Sequence, residues 1–304
     1  MKVVSIITVN FNQPLVTELL IKSIHEKCRY PALEILVIDN GSRVNPVPDW
    51  ILQYPEIQFI RSDKNLGFAG GNNLGIRQAT GDYLFLVNND TEFTENLVEW
   101  MVEEMEQKPN IGLLSPRINY FDQPTMIQYA GYTPMNYYTA RNACIGQFEE
   151  DKGQYDHVSG PTAYAHGAAM MIRRAALEKA GPMAENYFLY YEELDWAERI
   201  RRAGYDVHVH LKPLIYHKES VSVGKQTALK EYFMNRNRIL FIRRNTSTGT
   251  FLIFLFYFLF LVAPRNLISY VVGGHSEFIP VFLRAVTWHI SHDTESEDLG
   301  YTLP

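Results

Sequence analysis

Along the first hundred residues the apolar positions fall into two kinds of pattern. Val3–Val9, Glu34–Ile38, Ile57–Ile60 and Tyr83–Val87 are short, nearly unbroken apolar runs, as expected of strands covered on both faces. Between and after them, Pro14–Lys27, Asn72–Ala79 and Glu95–Gln107 read as helices. This alternation predicts an α/β fold with a mostly parallel twisted sheet flanked by helices. In such sheets ligands bind outside the carboxyl ends of the strands. Asn10, Asp39 and Asp90 close three of the runs, so the pattern predicts where a site lies as well as the fold.

Farther on the signal changes. From Gly112 to Pro161 the chain is rich in Tyr, Asn, Gln and Gly without clear periodicity, which predicts loops and short strands shaping a cleft. Order resumes in "AAMMIRRAALEKAG", a strand passing into a helix, and in "ELDWAERIRRAGY", a helix stopped at Gly204. "DVHVHL" alternates as a strand, with His208 and His210 on one face in structural roles. The opening "MKVVSIITVNFNQP" has a short apolar part interrupted by Ser5 and Thr8, so it reads as a first strand rather than a signal peptide. No internal repeat is evident.

Composition narrows the class. The 304 residues are 46% hydrophobic and 20% charged, a globular balance that suits one large domain or a domain plus an appendage. Two cysteines, Cys28 and Cys144, stand far apart without metal-site spacing, which fits a reducing compartment. The triplets beginning at Asn40 and Asn89 match a glycosylation sequon but sit at strand ends, and are read as chance matches. Net charge is −6, and no nucleic-acid partner is expected. From Lys225 to Thr250, however, six basic residues against one acid give +5, leaving −11 for the rest. The apolar run Phe251–Ala263 follows directly. It is shorter than the roughly 20 residues a bilayer crossing needs unless it continues past Pro264, Arg265 and Asn266. A buried core helix is one reading. The other is attachment to an anionic membrane surface, with the arginines marking the cytoplasmic side. The expected division is 1–224 for the catalytic domain and 225–304 for a helical, membrane-associating extension.

Four constellations carry chemistry. In "VNND", Asn88, Asn89 and Asp90 place one carboxylate between amides, a ligand set for a hard cation that also holds phosphate oxygens; a turn capping the next helix is the alternative. "NLGFAGGNNLG", Asn65–Gly75, combines glycines with amides that suit diphosphate or sugar oxygens, or forms a structural loop. In "YFLYYEELDWAERIRRAGY", aromatic residues lead into Glu192, Glu193 and Asp195 at a helix start. Apolar surroundings and like charges raise a carboxylate's pKa, which suits a general base, although a helix dipole alone also favours acids there. His217 follows an apolar strand; taken alone, it is a structural histidine more readily than a ligand.

Read in order, "SIITVNFN", "ILVIDNGS", "NLGFAGGNNLGI", "GDYLFLVNND", "GAAMMIRRAAL", "FLYYEELDWAERIRRAGY", "IYH" and "YFMNRNRILFIRRN" resemble the family 2 glycosyltransferases, and among them the rhamnosyltransferase-like bacterial members. The resemblance runs from about Val3 to Asn245 and implies a GT-A fold, a nucleotide-diphospho-sugar donor (dTDP- or UDP-linked), a divalent cation (Mg²⁺ or Mn²⁺) and transfer with inversion. By position it puts Asp39 at the donor's base with Asn10 near the nucleotide, and Gly71 and Asn72 by the diphosphate. Thr8, Asn65, Asn88 and Asn89 complete the expected donor-binding set. Asp90 becomes the metal carboxylate of a DxD-type motif whose first acid is replaced by Asn88, with His217 close to metal or diphosphate. Glu193 matches the catalytic base, one carbon longer than the family's Asp, with Glu192 and Asp195 beside it. The family's acceptor-side "GGFDE" is "GPMAE" here.

The implied activity is transfer of a sugar, rhamnose by resemblance, to a glycan or lipid-linked glycan in cell-surface polysaccharide synthesis. The expected location is the cytoplasmic face of the cell membrane. A sugar-phosphate nucleotidyltransferase would carry a Gly-rich, Arg-containing loop after its first strand, where this chain has "VNFNQP". An inactive nucleotide-binding membrane protein is the other rival.

Overall fold

The computed structural model describes residues 1–218 and 227–303. Lys225 and the expected boundary at 224/225 lie outside the described residues. The N-terminal half runs β1 (Val4–Asn10), α1 (Pro14–Lys27), β2 (Leu33–Asn40), α2 (Val47–Gln53), β3 (Gln58–Ser62), α3 (Gly67–Gln78), β4 (Tyr83–Val87), β5 (Thr91–Phe93) and α4 (Leu97–Gln107). There follow β6 (Ile111–Tyr120), β7 (Ile127–Tyr129), β8 (Ser159–Pro161), β9 (Ala169–Arg173), α5 (Arg174–Ala180), α6 (Glu192–Arg202) and β10 (Asp206–His217). The C-terminal helices are α7 (Ala228–Asn245), α8 (Thr248–Tyr257), α9 (Ala263–Val272) and α10 (Phe278–Ser291).

Ten strands form one sheet in the order β3-β2-β1-β4-β9-β6-β10-β5, with β7 on β6 and β8 on β10. β3, β2, β1 and β4 are parallel, and β9 runs antiparallel between β4 and β6. β10 is again parallel to β6. The chain winds outward from β1 to β3, then returns to place β4 on the other side of β1. That reversal opens a crevice at the carboxyl ends of β1 and β4, the place where such sheets bind ligands.

Strand alternation sorts side chains into two cores. Ile6, Val37, Phe85 and Val87 face α1, α2 and α4, through Leu20, Trp50, Val98 and Met101 among others. Ile7, Leu36, Ile38, Leu84 and Leu86 face α3, α5, α6 and the C-terminal helices. Both faces are covered, so these strands are apolar throughout and show no period of two.

Two expectations change here. "NLGFAGGNNLG" is a helix rather than a loop, and α3 starts at Gly67. A β-carbon on Gly71 would come within 2.9 Å of Val9, so its bareness lets α3 close onto the sheet. The stretch from Gly112, expected as loops and short strands, contains β6, ten residues long and buried along nearly all its length. Its pattern is obscured by Pro116, which has no N–H to give the ladder. The register with β10 is irregular at that point, between the Val209–Ser115 and Leu214–Arg117 pairs.

The C-terminal helices are not an appendage. Phe254, Phe258, Phe278, Phe282 and Trp288 share a core with Tyr187, Trp196 and the sheet. α8, a π turn over Phe258–Val262 and α9 form one helical run of 25 residues, Thr248–Val272. The π turn lies just ahead of Pro264, whose missing N–H breaks the regular ladder. This run is long and apolar enough to cross a membrane by length and composition, with 17% of its most apolar stretch buried. The basic window behaves differently from expectation. Arg236 is fully buried, Arg238 donates to the Thr139 carbonyl at 2.5 Å and Arg243 to that of His292 at 2.7 Å, while Arg244 pairs with Glu295. These four cations are spent inside the protein, and the outward side of the 248–272 helix is mostly apolar, with Arg265 the exposed charge on it.

Candidate active site

The strand ends deliver a connected polar rim. Asn10, the last residue of β1, is fully buried and donates to Asp39 Oδ1 at 2.8 Å and to Ser42 Oγ at 3.1 Å. Asp39 is paired through its other oxygen with Arg61, from β3. Asn40 donates to Asn65 Oδ1 and to the Gly67 carbonyl, tying β2 to the start of α3. Thr17 of α1 joins the ends of β1 and β4, for its hydroxyl donates to Asn10 Oδ1 and accepts from Asn89 Nδ2, each at 3.0 Å. Thr8 is buried with its hydroxyl unbonded. Asn72, inside α3, donates back to the Phe68 carbonyl.

At the far side of the crevice, β5 lies antiparallel to β10 with Thr91 opposite His217. That register brings Asp90 to the histidine: Asp90 Oδ1 lies 3.2 Å from His217 Nε2 yet makes no hydrogen bond. His217 Nδ1 is 2.9 Å from Gln128 Oε1. An amide oxygen only accepts, so Nδ1 carries a proton, and Nε2 faces Asp90 and Asn88, whose Nδ2 is 3.4 Å away. A buried carboxylate oxygen without a partner, beside a histidine nitrogen held ready, is a donor set that fits a divalent cation. No cluster of three His, Cys, Asp or Glu side chains stands together among the described residues. Two protein ligands suit Mg²⁺ or Mn²⁺ where diphosphate and water supply the remaining oxygens.

The acids form the other wall. The segment before α6 turns through left-handed backbone at Phe188, Tyr190 and Tyr191, with φ of 64°, 71° and 73°. Glu192 and Glu193 then open the helix, each with Oε2 buried and unbonded. Burial raises the Glu193 carboxyl to about 7. Burial, and then the neighbouring Glu193, push Glu192 well above the usual carboxylate range. Asp195 is different. It is fully buried, with Oδ2 on Arg199 at 2.9 Å and Oδ1 on Asn245 at 2.9 Å. Expected among the catalytic acids, it has both oxygens bonded inside the core, where it joins α6 to α7.

Aromatic side chains lie between the acids and the Asp90–His217 pair. Burial raises the Tyr132 hydroxyl, with Cys144 and Tyr129 adding to it ahead of the smaller effect of Glu193. Tyr132 stacks on His166 at 6.2 Å, and His166 meets His217 edge-on at 6.1 Å. Burial first, then His217, push His166 down to about 3, so it stays neutral.

Residues 5–181 match the family model for glycosyl transferase family 2, more than half the chain. The chain belongs to that family. Among curated relatives of this glycosyltransferase is a low-salt glycan biosynthesis hexosyltransferase of Haloferax volcanii. It is 27% identical over 241 residues, covering 78% of this chain and 74% of that protein. An N-acetylglucosaminyl-diphospho-decaprenol L-rhamnosyltransferase of Mycobacterium tuberculosis is 22% identical over 217 residues, 64% of this chain and 70% of that one. Among solved structures, GalNAc-T7 with UDP, GalNAc and Mn²⁺ superposes with a TM-score of 0.64 at 13% identity, over 80% of this chain. This glycosyltransferase spans about half of that protein, 48%. The fold is GT-A-like.

Several site residues escaped the sequence reading. Arg61 had a signal, being a charged residue at the end of a strand on the same edge as Asp39. Thr17, Gln128, His166 and Tyr132 had none, since each lies within a helix, a short strand or an aperiodic stretch.

Proposed function

We propose that this glycosyltransferase moves a hexosyl residue from a nucleotide-diphospho-sugar to a hydroxyl of a glycan or lipid-linked glycan, with inversion at the anomeric carbon. The observation that carries this reading is Glu193, whose Oε2 is buried without a hydrogen-bond partner and whose pKa, raised by burial to about 7, suits a general base at neutral pH. Glu193 takes the proton from the acceptor hydroxyl as that oxygen bonds to the anomeric carbon. The bond from that carbon to the diphosphate breaks, and its electron pair leaves with the nucleotide. Asp90 and His217 would hold a divalent cation, which when bound neutralises charge on the diphosphate oxygens. Asn10, Asp39 and Arg61 offer donors and acceptors to the nucleotide, and Thr8, Asn88 and Asn89 line the crevice between it and the sugar. Gly71 and Asn72 act from within α3, through its packing.

The names of the relatives support a hexosyl donor, and one of them supports rhamnose and a diphospho-polyprenol acceptor. UDP in the neighbouring structure supports a pyrimidine donor, and dTDP fits the rhamnose reading. Incubation with a panel of nucleotide sugars tests the proposal. One of them is expected to be turned over, with activity lost in chelator and restored by Mg²⁺ or Mn²⁺. Release of pyrophosphate from a sugar phosphate and a nucleoside triphosphate would overturn it; full turnover in chelator would remove the cation from it.

A membrane surface as partner, on the cytoplasmic side, belongs to the same proposal. Leu252, Ile253, Phe256, Phe260, Leu261 and Val272 are exposed on the 248–272 helix. Phe254, Phe258, Val262 and Tyr270 tie its other side to the protein along its length. A helix held this way lies along a bilayer rather than through it.

A further inference from the structure

Glu192 and Glu193 each have one buried oxygen, Oε2, without a hydrogen-bond partner, and no side chain among the described residues bonds either acid, so their aim depends on the backbone that delivers them. That backbone is unusual: Phe188, Tyr190 and Tyr191 are left-handed, a conformation that non-glycine residues keep only where the surroundings over-determine it. One side of the segment is bonded to the donor half of the site, because the Phe68 amide of α3 donates to the Phe188 carbonyl at 2.7 Å. The other side meets α7, where Phe188 stacks on Phe233 at 5.0 Å and one side chain gathers the backbone carbonyls. Asn237 is fully buried, and its Nδ2 lies 2.8 Å from each of the carbonyls of Tyr187, Leu189 and Tyr190. Arg236, also fully buried, donates to Asn237 Oδ1 at 2.9 Å and to the Asn186 carbonyl at 2.7 Å. A guanidinium only donates, so the amide can face it in one orientation alone, with its NH₂ toward the three carbonyls.

We propose that Asn237 is a positioning residue for glycosyl transfer: its amide gathers three carbonyls of the turn before α6 and so aims Glu193 at the acceptor hydroxyl. It acts through backbone and meets neither donor nor acceptor. The proposal rests on the reading of Glu193 as the base. A strut of merely structural value would lower stability and leave turnover of the folded protein unchanged. An aiming device lowers kcat without touching the donor side.

The test uses the full chain with the donor found active in the panel. Asn237→Ala is expected to reduce kcat about 10²-fold, the scale of an ångström-sized misplacement, while donor KM and nucleotide affinity by calorimetry stay within about twofold. Amide exchange is expected to quicken at 187–193 and not in β1, β2 or β4. A folded variant with wild-type kcat overturns the proposal, and so does a loss of kcat matched by an equal loss of nucleotide affinity. Should Asn237→Ala fail to fold, Asn237→Ser keeps one donor and is expected to show the same selective fall in kcat, smaller in size; wild-type kcat there overturns the proposal as well. Glu193→Gln separates the two layers. Substantial activity in that variant removes the base assignment itself, whereas a dead Glu193→Gln beside a fully active Asn237→Ala removes the positioning role alone.

Discussion

At the polar rim of the strand ends, Asn10, Asp39, Ser42, Asn40, Asn65 and Thr17 hold one another through hydrogen bonds between neighbouring strand ends and the helices that follow them. At the acid wall, Glu192 and Glu193 have unbonded oxygens, and the turn that carries them is shaped by α7, some fifty residues away in sequence. The first region is built to present fixed donors and acceptors to a ligand with many polar atoms. The second buries a carboxylate with one oxygen unbonded, so that its proton affinity rises, and in the proposed reaction that oxygen is left for the acceptor. Rigidity comes from side chains in one and from backbone in the other.

Removing the free carboxylate tests this contrast most severely. Glu193→Gln is expected to lower transfer by about 10³-fold, within the range general bases contribute, with nucleotide binding retained. The same variant carries a pH signature. A carboxyl raised to about 7 in the folded state favours folding below the unfolded value near 4.5, and that contribution is lost as pH rises through 7. Glu193→Gln is therefore expected to stabilise the protein at pH 8 by on the order of 2 kcal/mol, less than the full shift because the side chain is part-exposed, and to give no gain at pH 4. Urea denaturation at the two pH values checks this. An equal gain at both would mean the acid is not held at a cost.

On the rim the expected effect is smaller and falls on the proposed cation site. Gln128 fixes the His217 tautomer, so Gln128→Ala is expected to weaken Mn²⁺ binding about 10- to 100-fold, read by calorimetry with the nucleotide present. Unchanged affinity would mean that His217 is not a ligand. Smallest of all is the outer surface. Phe256→Ser with Phe260→Ser removes an exposed aromatic pair and is expected to lower binding to anionic vesicles about tenfold, leaving turnover of a soluble acceptor unchanged. Deletion from Phe251 onward cannot ask this question, because it would also remove Phe254, Phe258 and Trp288 from the shared core.

The same contrast explains what could be read from the chain. The rim was legible because apolar runs ending in Asn10, Asp39 and Asp90 announce both a strand and its direction, and parallel strands put their ends together. His217 also ends a strand, but alone it read as a structural histidine, and only the family resemblance put it near a metal. Glu193 was visible as an acid entering a helix behind aromatic residues. Asn237 was hidden inside "YFMNRNRILFIRRN", where the arginines point to a charged surface and the structure instead turns Arg236 inward. β6 was hidden by Pro116 and by burial on both faces, which erases alternation. Side chains that act across long sequence separations leave no period to detect.

The core that joins Phe254, Phe258 and Trp288 to Tyr187 and Trp196 has a consequence for how such enzymes can be recombined. A chimera cut near residue 225 would exchange the tail of one relative for that of another, and with it Asn237, Arg236 and Asn245. The turn before α6 would then be folded onto a foreign mould. Viable exchanges must carry the segment 186–195 together with α7, which makes this pair the smallest heritable unit of the acceptor wall.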